Sequence, residues 1–270
     1  MDGWPVDNAA VAVIGREGVV ASHGDGGCVF AWASVTKLAT ALAVLVAADE
    51  GIVELEEAAA PPGSTVRHLL AHASGLPLDG GTPIAPPGTR RIYSNAGFEV
   101  LAELIAGRAE MPFDEYLAAA VFGPLDLNAE LSGSPASGLH GTLDDLARLA
   151  TYLVVGQPPI LAPETLAEAT SVAFPGLVGV LPGFGRMDPN DWGLGFELRD
   201  RKHPHWTGER NSPRTFGHFG QSGSFLWVDP DAEHGCVCLC DRDFGDWSKE
   251  VWPRLADAVL DELGRTGAPN

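Results

Sequence analysis

Ser34-Val35-Thr36-Lys37-Leu38-Ala39-Thr40-Ala41-Leu42-Ala43-Val44-Leu45-Val46-Ala47-Ala48 contains the longest apolar run of the chain, Leu38 to Ala48, and a lysine just ahead of it. Leu38, Leu42, Leu45 and Val46 recur at helical spacing and Gly51 follows as a stop, which predicts a mostly buried helix beginning near Ser34. The run is too short to cross a bilayer. Ser34 and Lys37, three residues apart, share a face of such a helix. A hydroxyl is a poor nucleophile until a base takes its proton. Burial and neighbouring cations favour the neutral amine that a lysine base requires. The helix start adds positive potential where an alkoxide would develop. By itself the pair also reads as an N-capping serine beside a solvated lysine; the apolar company of Val35, Leu38 and Ala39 shifts the balance toward a buried amine.

Moving outward, strands flank this helix at both ends of the sequence. Ala9 to Ile14, the turn-like Gly15-Arg16-Glu17-Gly18 and Val19 to Ser22 predict a β-hairpin. Near the other end, Trp192 to Leu198, Ser224 to Val228 and Gly235 to Cys240 read as three strands, and Asp246 to Leu263 as an amphipathic helix. The middle is helical: a short helix from Thr65 to Leu70, then Asn95 to Ala106, Phe113 to Val121, a helix capped by Thr142 with Asp144 and Asp145 in its first turn, and another opening at Pro163. The pattern predicts an α/β fold with an antiparallel sheet assembled from the two terminal segments, flanked by helices, around an inserted, mainly helical region. As domains this gives 1–55 with 185–270 for the sheet unit, 56–184 for the helical unit, and a cleft between them.

The chain has 270 residues, 45% of them hydrophobic, and 36 acidic against 17 basic side chains, for a formal charge of −19. A chain of this length buries roughly 70–75% of the surface of its unfolded state. Such acidity argues against nucleic-acid and anionic-membrane partners, both of which reward clustered Lys and Arg. Met1-Asp2-Gly3-Trp4-Pro5 lacks a basic segment leading into an apolar run, so a cytoplasmic address is expected. With 33 glycines and 21 prolines, many tight connections are expected rather than long repeats. Of the four cysteines, Cys236, Cys238 and Cys240 alternate along one predicted strand and should line one face of it as core thiols, spread at roughly 6–7 Å rather than converging on a metal. His68 and His72 have helical ligand spacing but no glutamate between them, and no metal or cofactor is expected. His203-Pro204-His205 is expected in a polar, mobile loop, while Trp192, Trp206 and Phe219 are either cleft linings or packing residues.

Two further stretches carry chemistry. In Tyr93-Ser94-Asn95, a tyrosine can relay a proton, and an asparagine amide can donate to a substrate carbonyl while its oxygen accepts from Lys37; the alternative is a helix-capping Asn95 and a packing Tyr93. In Gly217-His218-Phe219-Gly220-Gln221-Ser222-Gly223-Ser224, glycines allow close backbone approach and an N–H at a strand edge can serve an oxyanion; the alternative is a β-turn.

Ser34-x-x-Lys37, Tyr93-x-Asn95 and His218-x-Gly220, in this order, resemble the serine β-lactamase and penicillin-binding protein superfamily. The match is to its class C-related branch, with D,D-peptidases, D-aminopeptidases and family VIII-type carboxylesterases. His68 to Pro77, reading His-Leu-Leu-Ala-His-Ala-Ser-Gly-Leu-Pro, and Gly88-Thr89 ahead of Tyr93 resemble it too. The resemblance implies the β-lactamase/transpeptidase-like fold and a serine hydrolase acting through an acyl-enzyme on a small ester, amide or β-lactam, with a small molecule or short peptide as its partner. It implies Ser34 as nucleophile, Lys37 and Tyr93 sharing the general-base role, and Asn95, His218, Gly220 and Gln221 binding substrate, with the Ser34 and Gln221 N–H groups as oxyanion donors. His218 stands where many β-lactamases carry lysine and is largely neutral at pH 7; Arg214 is the nearby candidate to replace that charge. A non-catalytic acyl-ligand-binding or regulatory protein on the same scaffold is the alternative.

Overall fold

The computed structural model describes residues 3–266. Its centre is a six-stranded antiparallel sheet. In spatial order the strands are Glu197–Leu198, Phe216–Phe219, Phe225–Asp229, His234–Cys240, Ala9–Gly15 and Gly18–His23. The two ends of the sequence meet in the middle of the sheet, with Ala9 opposite Cys240 and Ala12 opposite Val237.

Alternation sorts the side chains of these strands into two layers. Ala10, Ala12, Ile14, Val237 and Leu239 face one core, shared with the helices Thr36–Asp49 and Leu143–Val155. Val11, Trp227, Phe225, Cys236 and Cys238 face the other, closed by Trp252 and Ala256 of the helix Asp246–Thr266. With helices on both faces, the strands run almost continuously apolar. Burial pushes the thiols of Cys236, Cys238 and Cys240 upward, the last to about 11, so they sit as inert core groups.

Every residue of the central helix from Thr36 to Ala47 is buried; a helix apolar on all sides belongs inside a protein. The Leu143–Val155 helix carries the expected cap: the Thr142 hydroxyl accepts from the Asp145 N–H (3.2 Å) and the Asp145 carboxylate accepts from the Thr142 N–H (2.9 Å). The Phe113–Leu117 helix continues as a wider π turn through Ala118–Phe122.

Three expectations are corrected. Trp192 to Leu198 is not one strand: only Glu197–Leu198 pairs in the sheet, because Gly195 (φ +87°) turns the chain tightly against Ala41 of the central helix. The His218 segment is itself a strand, Phe216–Phe219, and Gly220 to Gly223 form the turn. The segment around His203-Pro204-His205 is anchored rather than loose, since Lys202, His205 and Trp206 are buried while Arg201, His203 and Pro204 stay exposed. The cause is Glu197, buried at the sheet edge: Lys202 pairs with it, and His205 Nε2 (3.0 Å) and Trp206 Nε1 (2.9 Å) donate to it. Among the described residues no helix is long and apolar enough to cross a membrane, and no group of three or more His, Cys, Asp or Glu side chains is arranged to hold a metal ion.

Candidate active site

Ser34 lies in a tight 3-10 turn, Ala33–Val35, that runs directly into the central helix. Its hydroxyl makes no capping bond, so the capping alternative fails. Ala33 holds φ +44°, an unfavourable left-handed conformation for a residue with a Cβ. Buried Trp32 anchors the turn from below.

One helical turn on, Lys37 is fully buried. Its Nζ lies 2.7 Å from Asn95 Oδ1, 2.9 Å from the Ala136 carbonyl and 3.3 Å from Ser34 Oγ. The amine also sits over the Tyr93 ring, 4.8 Å from its centroid. Burial pushes its pKa down to about 7, while the Glu99 carboxylate pulls the other way. The lowering therefore comes from desolvation and not from neighbouring cations. A neutral amine has two N–H donors and one lone pair. Asn95 Oδ1 and the Ala136 carbonyl can only accept, so they take both donors and leave the lone pair facing the Ser34 hydroxyl.

Asn95 does not cap its helix; Ser94 does, accepting from the Gly97 N–H (3.1 Å) and donating to the Pro77 carbonyl (2.8 Å). That division frees the Asn95 amide for Lys37 on one side and for Asp79 (3.5 Å) at the mouth. Tyr93 is held as a neutral phenol: burial raises its pKa well above the usual tyrosine range, only partly offset by a hydrogen bond with Ser34. Its hydroxyl lies 3.4 Å from His218 Nε2. His218 Nδ1 is 2.6 Å from the Phe219 carbonyl, which must receive a proton, so Nε2 carries the lone pair and accepts from Tyr93. Burial, then the charge on Lys37, pushes the His218 pKa down to about 3, which leaves it uncharged.

Gly220 ends the His218 strand where no side chain fits. A Cβ there would meet the Trp32 carbonyl at 2.5 Å and Ser224 Oγ at 2.4 Å. This close approach brings the Gly220–Gly223 turn against the residues preceding Ser34. Two hydroxyls fasten it: Ser222 donates to the Ala31 carbonyl and Ser224 to the Trp32 carbonyl, each at 2.7 Å. Gly220 and Gly223 spend their N–H groups inside the turn, whereas the Gln221 N–H has no backbone acceptor among the described residues.

All seven candidate residues thus converge from three separate stretches of chain. One secondary expectation does not hold. Arg214 is exposed and paired with Asp231 (2.8 Å), so it supplies no charge at His218. Phe219 is a packing residue, set against Phe244 and Trp252 in the core layer closed by the helix Asp246–Thr266. Trp192 and Trp206 are buried packing residues, Trp192 edge-on to His218. His68 and His72 do not share a helix face, because the helix ends at Leu70.

Sequence reading missed the Ala136 carbonyl, since residues 132–141 carry no motif, and it gave no role to Ser222 or Ser224. It also missed buried Arg91, whose guanidinium donates to the carbonyls of Asn190 (3.0 Å), Ala173 (2.7 Å), Phe174 (3.1 Å) and Ala71, fixing the segment before Tyr93. The only sequence signal was an arginine beside Ile92.

The sheet between helices, with the serine motif opening its central helix, defines the β-lactamase/transpeptidase-like class. The chain belongs to the beta-lactamase family, whose profile matches residues 5–261. It is similar to a beta-lactamase from Mycobacterium bovis, 55% identical over 97% of both chains, with a TM-score of 0.94. It also resembles EstCE1, described as a hydrolase with promiscuous acyltransferase activity, at 18% identity over 96% of this chain and 95% of that one, TM-score 0.79. A third relative is an octameric penicillin-binding protein homologue from Pyrococcus abyssi, at 20% identity over 96% of this chain and 74% of that one, TM-score 0.74. The last two share the fold alone. No curated protein matches the sequence.

Proposed function

We propose that this protein is a serine hydrolase that forms an acyl-enzyme at Ser34 and acts on a small ester or amide uncharged near the scissile bond. The observation carrying the reading is the Lys37 amine, buried, brought to a pKa of about 7, and 3.3 Å from Ser34 Oγ. In this reading Lys37 takes the Ser34 proton as the oxygen attacks the acyl carbon. The N–H groups of Ser34 and Gln221 receive the oxyanion, and losing one such donor typically costs ~10²–10³ in rate. Tyr93, a neutral phenol, relays a proton to the leaving group and recovers it from the Lys37 ammonium; water then adds to the acyl carbon, Ser34 takes back a proton as the C–O bond breaks, and the acyl chain leaves as the acid.

Uncharged substrates are favoured because His218 is neutral and Arg214 is turned away to Asp231. A carboxylate beside the scissile bond would meet a chain of charge −19 with neither a charged His218 nor Arg214 to receive it. The second reading, β-lactam hydrolysis, is favoured by 55% identity to a protein described as a beta-lactamase.

A panel of nitrocefin, p-nitrophenyl esters and D-alanyl peptides, run with Ser34→Ala, separates these readings. The expected outcome is ester turnover exceeding nitrocefin turnover, both lost in Ser34→Ala, with a fluorophosphonate adding its mass at Ser34. Failure of labelling together with unchanged ester hydrolysis by Ser34→Ala overturns the proposal. Tight binding of an acyl compound without turnover would favour a non-catalytic binding protein.

A further inference from the structure

We infer that His72 is a positioning residue for the reaction at Ser34, setting Tyr93 and Asn95 in place by accepting the Ser94 N–H at its Nδ1. The inference rests on the serine-hydrolase reading above and adds a residue to it.

His72 follows the Val66–Leu70 helix in a left-handed conformation (φ +54°) and is buried. Its backbone N–H donates to the Leu69 carbonyl (3.1 Å), and its own carbonyl accepts from the Ile92 N–H (2.8 Å). Its Nδ1 accepts from the Ser94 N–H (3.1 Å). One residue therefore grips the chain on both sides of Tyr93. The imidazole also lies against the Tyr93 ring, with centroids 4.6 Å apart. Arg91 adds a bond to the neighbouring Ala71 carbonyl, so residues 71 and 72 together hold 91 to 94.

The second nitrogen explains why packing alone is an insufficient account. With Nδ1 acting as acceptor, the ring proton sits on Nε2, which among the described residues has no hydrogen-bond partner. It is enclosed by Tyr93, Phe98 and Trp192, at centroid distances of 4.6, 5.3 and 4.7 Å. A buried idle donor loses its bond to water and gains none in return. A phenylalanine would fill the same space without that cost but could not accept from Ser94. Burial holds the imidazole pKa well below its ordinary range, and the charges on Lys37 and Arg91 act in the same direction, which keeps Nδ1 available as an acceptor. The consequence reaches Lys37: Ser94 held by His72 is also the helix cap that leaves the Asn95 amide free.

His72→Asn and His72→Gln separate the roles. Asparagine puts its carbonyl oxygen near the Nδ1 position and tolerates the left-handed conformation; glutamine carries its carbonyl toward the Nε2 position and cannot reach Ser94. Ester turnover, fluorophosphonate addition to Ser34 and amide hydrogen exchange at Ser94 are measured on both variants and the wild type. In the expected result, the Asn variant keeps kcat near wild type and a protected Ser94 amide. The Gln variant loses kcat by about tenfold to a hundredfold at little-changed KM, with the Ser94 amide exposed to exchange. Equal kcat in folded Asn and Gln variants overturns the inference. If the Gln variant does not fold, a folded Asn variant protected at Ser94 but turning over at under about a tenth of the wild-type rate overturns it equally. A wild-type chain that fluorophosphonate does not label at Ser34 fails the serine-hydrolase reading itself; a labelled wild type with equally fast Gln variant fails only the role of His72.

Discussion

Lys37 illustrates how much chemistry a single burial decides. On the surface its amine would titrate near 10.4 and be useless as a base at neutral pH. Enclosed by Tyr93, Phe98, Asn95 and the Ala136 carbonyl, it titrates near 7. If the deprotonated amine is the working form, kcat/KM for an activated ester rises with pH through about 7 and then levels off. Lys37→Arg keeps the charge but cannot lose its proton, so kcat should fall about 10²–10⁴-fold and the rise near neutrality should vanish. A pH–rate profile of the two proteins checks this; an unchanged rise in the Arg variant would assign the titration elsewhere. The Ser34 and Lys37 pairing was legible from their spacing taken together with the apolar company of Val35, Leu38 and Ala39. The third partner, the Ala136 carbonyl, was not, because a backbone acceptor leaves no trace in residue identity.

At the scale of elements, the site depends on a strand end pressed against a 3-10 turn. Gly220 permits the contact and Ser222 and Ser224 fasten it. A methyl group at position 220 has to displace either the Trp32 carbonyl or the turn carrying Gln221. Gly220→Ala should therefore lower kcat by about 10²–10³-fold through loss of one oxyanion donor, with KM changed less and the melting temperature reduced. Kinetics alongside thermal unfolding test it, and an Ala variant with wild-type kcat would remove Gln221 from the proposed mechanism. The glycine-dense run was visible in the sequence as a place of close approach. Its being a strand was less so, since Phe216–Phe219 interleaves His and Gly with aromatics and has no clean period-two pattern. The Trp192 to Leu198 stretch erred in the opposite direction: its apolar alternation reads as strand, and Gly195 breaks it only because Ala41 lies where a side chain would go.

For the molecule as a whole, three buried histidines and one buried glutamate govern the response to acid. Burial pushes His72, His205 and His218 below their ordinary range, so between about pH 6.5 and their folded values the unfolded chain binds protons that the folded chain does not. Stability must fall as pH drops through that window, at up to about 1.4 kcal/mol per pH unit for each group. Glu197 adds to the loss at lower pH. Burial alone would raise it, but Lys202 and His205 hold it down to about 2, so the stability it contributes is present above pH 4.5 and lost toward pH 2. The urea midpoint should be lower at pH 5 than at pH 8, and His218→Gln should flatten that difference; a midpoint that does not fall on acidification would contradict the assignment of these groups as neutral in the folded state. The sequence by itself determined the helix at Ser34, the hairpin, the two strands at Ser224 to Val228 and Gly235 to Cys240, the alternating thiols, and the three motifs that identify the family, because each is a local pattern of spacing and polarity. Only the tertiary structure decided that Arg214 turns away, that Glu197 draws Lys202, His205 and Trp206 into the interior, and that His72 and Arg91 support Tyr93. Those outcomes depend on which buried polar groups find partners across long stretches of chain, and that is a property of packing in three dimensions that no local pattern encodes.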